Sequence, residues 1–322
     1  MPAAAPGLVD FPRSEAAEPV KAEPERKLTW TSSFIPETYA EECVAIWFGR
    51  LTGSVHADFA HGVRRFHSLF GESPIKSGCG CSGTGITAKA SAAIHRVLNA
   101  RYGLRFEEHH VLACEHAEHK QGFLKKQHPD LQMLVSTLAE LAAAEAKNLL
   151  NPQNCPKELI PFLLMFRLGF PCTSRTSFSS QSSENVHCVQ KEEGATGIGF
   201  KEGFKYVTVH WPFLVMLECV KGLMQKIPDY PISDMEYIVK EFEAHKYWCL
   251  PALLDNVDYG GDSWRERLWW VAVLNLIHGK VTKQEVDQFF FRMLHAFKSP
   301  GPLIDTERYV IIDDEDLPVS IA

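Results

Sequence analysis

The chain has 322 residues, 45% of them hydrophobic and 23% charged, with a net charge of -7. That length fits one large or two modest globular domains with a sizeable core, and the acidic balance excludes a protein that coats nucleic acid through a global positive charge, so any such partner must be met by a local basic patch. Nine cysteines without paired framework spacing, and no secretory signal, point to thiols in a reducing intracellular compartment, nucleus or cytoplasm, while no run of 18 apolar residues suggests a membrane span.

Residues 1–28 hold Pro, Ala, Glu and Lys with little apolar periodicity and read as a disordered tail, too acidic for a mitochondrial address. In the following segment, 29–74, Tyr39, Cys43, Ile46 and Trp47 recur at helical spacing, and Phe59, Val63, Phe66 and Phe70 do so again. Two amphipathic helices are predicted there. Short apolar runs and helical patterns then alternate. Helices are predicted over 86–98, 131–149 and 283–297, and strands over 111–114, 213–217 and 268–276. The alternation predicts an α/β fold with a mostly parallel sheet over 75–300. Residues 301–322, with the acidic run 313–316, read as a solvated tail.

Chemistry-bearing residues punctuate this pattern. Cys81-Ser82-Gly83-Thr84-Gly85-Ile86 lies between an extended segment and a helix, where a glycine turn and helix N-terminal amides suit an anionic or zwitterionic small molecule. Glu115 closes the next strand, a position where such folds bind a ribose, although acids also favour helix starts. Gly169-Phe170-Pro171-Cys172 ends a long apolar run, and the rigid proline is expected to turn the chain out sharply at Cys172. A thiol presented there, under the serine-rich loop 173–185, suits covalent chemistry, whereas a buried cysteine would be a small hydrophobe. Glu218 is expected to end another strand at the same sheet edge, as a proton or hydrogen-bond donor or as a helix-cap carboxylate. Arg265 and Arg267 enter a further strand at i and i+2, placed to hold a carboxylate, phosphate or base carbonyl, or to form a structural ion pair.

The order of these pieces resembles the cytosine-5 DNA methyltransferases over roughly residues 75–275. The resemblance implies a Rossmann-like S-adenosylmethionine-dependent methyltransferase fold with added N-terminal helices. It also implies cofactor binding by Cys81, Ser82, Gly83, Thr84, Gly85, Ile86 and Glu115. Cys172 matches the family's Pro-Cys nucleophile, Glu218 the glutamate of its Glu-Asn-Val motif, and Arg265 and Arg267 its Gln-x-Arg-x-Arg pair. The implied activity is methyl transfer to carbon 5 of cytosine in nucleic acid, DNA before RNA, through a covalent cysteine adduct to a flipped base.

Several positions depart from that pattern. Cys219 follows the glutamate where the family has Asn, Thr173 follows the nucleophile instead of Gln, and Ser263 replaces the Gln of the arginine motif. Near Ser136 there is no Asp to hold adenine. About 55 residues follow Arg267, so a target-recognition domain after the core is not expected, and a protein partner is the expected source of sequence readout. The N-terminal helices are expected, from position, to replace packing that the family's last motif supplies. A catalytically degenerate fold that binds cofactor or a partner, and an RNA methyltransferase, stay open as alternatives. Cys79, Cys81, Cys114 and His116 sit at two neighbouring strand ends but match no strong zinc signature. No metal is expected.

Overall fold

The computed structural model describes residues 36–70, 73–83, 85–151, 157–172, 187–226, 230–261, 264–275 and 282–298, without the side chains of 36–40, 69, 70 and 86. The predicted tails and the 173–185 loop lie outside these residues. Seven strands form one sheet: β1 Ile75–Gly80, β2 Glu108–Cys114, β3 Met133–Val135, β6 Met165–Leu168, β7 Leu214–Val220, β8 Tyr247–Asp255 and β9 Glu266–Leu274. Their spatial order is β3-β2-β1-β6-β7-β9-β8. All neighbours are parallel as far as β7, and β9 runs against both β7 and β8. This is the mostly parallel Rossmann-like sheet expected from the alternation of elements. Two short strands, β4 Glu145–Lys147 and β5 Lys157–Leu159, pair apart from it.

Helices cover both faces of the sheet, as its doubly apolar strands require. On one face α1 Pro36–Arg50, α2 Gly53–Phe70, α3 Ile86–Tyr102 and α9 Lys283–Phe297 share a core with Ile75 and Met165, built on Val44, Phe48, Leu98 and Met293. Of the stripes read from the sequence, Trp47 of α1 and Phe59, Val63 and Phe66 of α2 pack into this core, and α1 adds Val44 and Phe48, which its predicted stripe left out. On the other face α7 Gly194–His210 and α8 Asp234–Ala244 set Phe200, Val207, Ile238 and Phe242 against Phe166, Val215, Leu217 and Trp270.

The helix predicted over 131–149 is not formed. Met133, Leu134 and Val135 are buried as β3 against β2. Thr137 then opens a capping box with Glu140, and the resulting helix, α5 Leu138–Leu141, lasts only four residues before β4. Alanine-rich composition favours a helix here, but a free sheet edge and a buried apolar triplet outweigh that weak local preference. The apolar run before the nucleophile segment is likewise divided: Pro161 lies between β5 and β6, and Leu159 and Phe162 are exposed.

A polar stripe crosses the sheet face beneath α3. Arg167 on β6 donates to Glu108 Oε1 at 2.6 Å, and both side chains are buried. Ser91 of α3 donates to the other carboxylate oxygen, and His95 Nδ1 lies 3.2 Å from it. Burial alone would lift the Glu108 carboxyl. The Arg167 guanidinium, with the Ser77 and Ser91 hydroxyls and His95, outweighs it and holds that carboxyl below its ordinary range. His110 sits 3.4 Å from both Ser77 Oγ and Cys79 Sγ, and burial, with His128 and Arg167 adding to it, pushes its imidazole down to about 3.

Candidate active site

Adjacent strands β1, β6 and β7 bring candidate residues to one sheet edge. Gly80 ends β1 beside Leu168, the last residue of β6, and Leu168 in turn pairs with Leu217 on β7. The glycine turn and the Gly169–Cys172 segment therefore leave the sheet side by side, with Glu218 near the end of the adjacent strand β7. Strand ends in such sheets are where ligand crevices form.

The glycine turn is built for a tight path. Cys81, Gly83 and Gly85 all have positive φ, 53°, 55° and 72°. A Cβ at Gly83 would meet nothing within 4 Å, whereas one at Gly85 would lie 2.3 Å from His128 Nε2. One side of the turn is thus open and the other pressed against α4 Glu118–Gln127 and its C-terminal neighbour. Glu115 is buried, and its Oε2 accepts the Gly83 N–H at 2.7 Å while its Oε1 accepts the Ala117 N–H at 3.0 Å. The carboxylate both braces the turn and serves the start of α4, the helix-start role of the two that its position suggested. Ser82 N–H donates to the Cys114 carbonyl at 2.8 Å, locking the turn to the end of β2. Thr84 and the Ile86 side chain lie outside the described residues. At Ser136, where the adenine-binding acid is missing, the backbone N–H and the hydroxyl both donate to Glu140 Oε2.

Burial disfavours the thiolate form of the cysteines around this turn. Burial pushes Cys79 up to about 11 and Cys81 up to about 12, and raises Cys114 further. His116 is turned outward, 3.3 Å from Glu115. Among the described residues no three metal-ligating side chains are arranged around a common point, and no disulfide joins described cysteines.

The Gly169–Cys172 segment is anchored from below. Phe170 is buried between Phe200 and Trp270 at ring distances of 5.8 and 6.3 Å. Half-buried Cys172 follows on the rim of the main core. Cys219, next to Glu218, is fully buried, and burial raises its thiol well above the ordinary range, with Cys172 and Glu218 nearby adding to the effect. It offers no competing thiolate.

Glu218 lies within β7 and not at its end, two residues short of Val220. Its carboxylate is half-exposed and held by Arg267 of β9, Nε to Oε1 at 2.9 Å. Its Oε2 would lie 3.8 Å from a Cβ built on Gly169, so it stands at the start of the nucleophile segment. The predicted arginine pair is split in use. Arg267 makes an ion pair, as a structural role requires. Arg265 is exposed, fixed through its backbone N–H to Asp255 Oδ1 at 3.0 Å, and its guanidinium has no ion-pair partner among the described residues.

Sequence reading overlooked α7. Three glycines inside one helix carry a propensity cost, which signals close approach: a Cβ at Gly203 would lie 2.3 Å from Leu168 Cδ2, and one at Gly199 would lie 2.7 Å from Pro171 Cδ. A proline ring cannot swing aside. Gly199→Ala is therefore expected to push Pro171 and Cys172 off α7, with an overpacking cost of about 1–3 kcal/mol in urea unfolding and a changed alkylation rate at Cys172. Unchanged stability and thiol reactivity would show that the segment is not seated on α7.

The sheet order and its reversed strand define the class, a Rossmann-like α/β fold with helices on both faces of a mostly parallel sheet. No family model matches the chain, and no curated protein matches it. Among solved structures it is similar to a putative DNA modification methyltransferase encoded within a prophage (E. coli), with 17% identity, TM-score 0.40, and 65% of this chain and 49% of that one covered. It is also similar to the S. pombe Dnmt2 methyltransferase, at 15% identity and TM-score 0.38, covering 67% and 54%. A third is the Entamoeba histolytica methyltransferase EhMeth, at 13% identity and TM-score 0.38, covering 65% and 56%. The chain thus spans about half the length of these structures. Likeness at this level assigns no activity.

Proposed function

We propose that this protein binds S-adenosylmethionine and methylates carbon 5 of cytosine in nucleic acid, DNA before RNA, through a covalent adduct on Cys172. The observation that carries this reading is the Glu218–Arg267 pair standing beside the Gly169–Cys172 segment, on the same sheet edge as the glycine turn and Glu115. The open side of that turn is where the cofactor would lie, with Glu115 taking its ribose once the Gly83 N–H is displaced from the carboxylate, while the Ser82 and Gly85 amides stay committed to Cys114 and Ser82. When bound, the cofactor supplies an electrophilic methyl group.

The remaining chemistry falls to side chains. Cys172 thiolate adds to carbon 6 of cytosine, forming an S–C bond and moving an electron pair toward carbon 5. Glu218, oriented by Arg267, accepts from the exocyclic amine and passes a proton from water to ring nitrogen 3 as charge develops there, taking it back when the S–C bond breaks. Arg265 would reach the base carbonyl. After carbon 5 takes the methyl group, its proton leaves to water, the electron pair returns and the S–C bond breaks, restoring the thiolate. In a duplex the base must first be flipped out, and a protein partner would supply sequence readout.

The test is direct: the purified chain is incubated with methyl-labelled cofactor and a mixture of DNA and RNA, and 5-methylcytosine is sought in each after selective nuclease digestion. Label in DNA supports the reading, and label confined to RNA moves the substrate class. Cofactor binding without transfer would establish the catalytically degenerate alternative.

A further inference from the structure

Trp264 is 77% exposed, the most open of the described tryptophans. It stands three residues before Arg267, so it lies within about 10 Å of the residue that grips Glu218. Exposed single apolar side chains are common, but this one has two particular neighbours. Arg265, next in the chain, is an exposed cation with no ion-pair partner among the described residues. Nearby cations are already balanced, Lys221 by Glu266 and Arg267 by Glu218. The backbone beneath the pair is also fixed: the Arg265 N–H donates to Asp255 Oδ1 at 3.0 Å and its carbonyl accepts from Asn256 N–H at 3.4 Å. A step held by these two hydrogen bonds thus carries an aromatic plane and an exposed cation past the end of β7, on a chain acidic overall.

An indole face pairs with any π-face, and a guanidinium beside it favours a polyanion. Only a base whose own face is open can stack on it, which selects unpaired nucleotides over a closed duplex. We propose that Trp264 is a stacking platform for the nucleobase flanking the target in a single-stranded segment of nucleic acid. Resting on the function proposed above, this places Arg265 at the target base and Trp264 at its neighbour, adjacent residues meeting adjacent nucleotides.

Binding of the full chain, carrying Cys172→Ala so that no adduct forms, is measured by fluorescence anisotropy with a short unpaired oligonucleotide holding one cytosine. Trp264→Ala is expected to weaken binding about 5- to 150-fold, and Trp264→Phe to retain most of it. An abasic site beside the cytosine should reproduce the loss in the parent and add nothing in Trp264→Ala. Salt dependence should be the same in parent and Trp264→Ala, since no phosphate contact is removed. Wild-type affinity in Trp264→Ala, or equal abasic losses in both proteins, overturns the platform, whatever other surface Trp264 then serves. Because no methyl transfer is measured, failure of the catalytic reading leaves this test intact, and methylation by a Trp264→Ala protein with unchanged binding would sink only the platform.

Discussion

Replacing Cys172 by Ala is expected to abolish methyl transfer, by about a thousandfold or more, because a residue that forms the covalent bond cannot be replaced by neighbouring groups. The neighbouring thiol, Cys219, is buried and held protonated, so it provides no substitute nucleophile. Stability should change little, since Cys172 is half-buried at the rim of the core and alanine removes a single sulfur. The sharper readout is the adduct itself. An oligonucleotide with fluorine on carbon 5 of its cytosine has no proton to lose there, so the enzyme stays joined to it and migrates as a larger species under denaturing conditions. The parent should form that species in the presence of cofactor, and Cys172→Ala should not. Methyl transfer by the variant would refute the nucleophile, and an adduct in the variant would move it to another residue.

Much of this site was legible because its signals are local. A proline before Cys172, a glycine turn before a helix and a carboxylate ending β2 each constrain the backbone within a few residues, and the structure brings all three to one edge. What escaped depends on contacts distant in sequence. The Leu131–Leu149 segment has helix-forming composition, but pairing with β2 decides its start and pairing with β5 its end. Nothing near Glu115 announces that Gly83, 32 residues earlier, donates to it. The partition of the arginines, Arg267 to Glu218 and Arg265 to solvent, follows from the register of β9 against β7, which spacing alone does not specify. The glycines of α7 were visible as a pattern, yet their meaning required knowing that Pro171 lies above them.

Arg167→Met is expected to destabilise the fold by about 3–5 kcal/mol, because it removes the partner of a carboxylate that stays buried. Urea unfolding measures this directly, and a loss below about 1 kcal/mol would mean that water reaches Glu108. The pH dependence should also reverse. In the parent the Glu108 carboxyl is held below its unfolded value, so its contribution is fully present above the unfolded pKa and is lost as pH falls through the lowered folded value. Without Arg167, burial is largely unopposed and raises the folded pKa above the unfolded one. Stability from this group then persists at low pH and is lost as pH rises through the raised value, so the deficit should be smaller in mild acid than at neutrality. Removing the charge as well, in Arg167→Met with Glu108→Gln, should recover much of the loss and flatten this pH response, since no buried ion is left unpaired. The stripe crosses β1, whose end is the glycine turn. A single variant that loosens β1 should therefore weaken cofactor binding more than it alters Cys172 alkylation, whereas Gly199→Ala, acting through α7 and Pro171, should do the opposite.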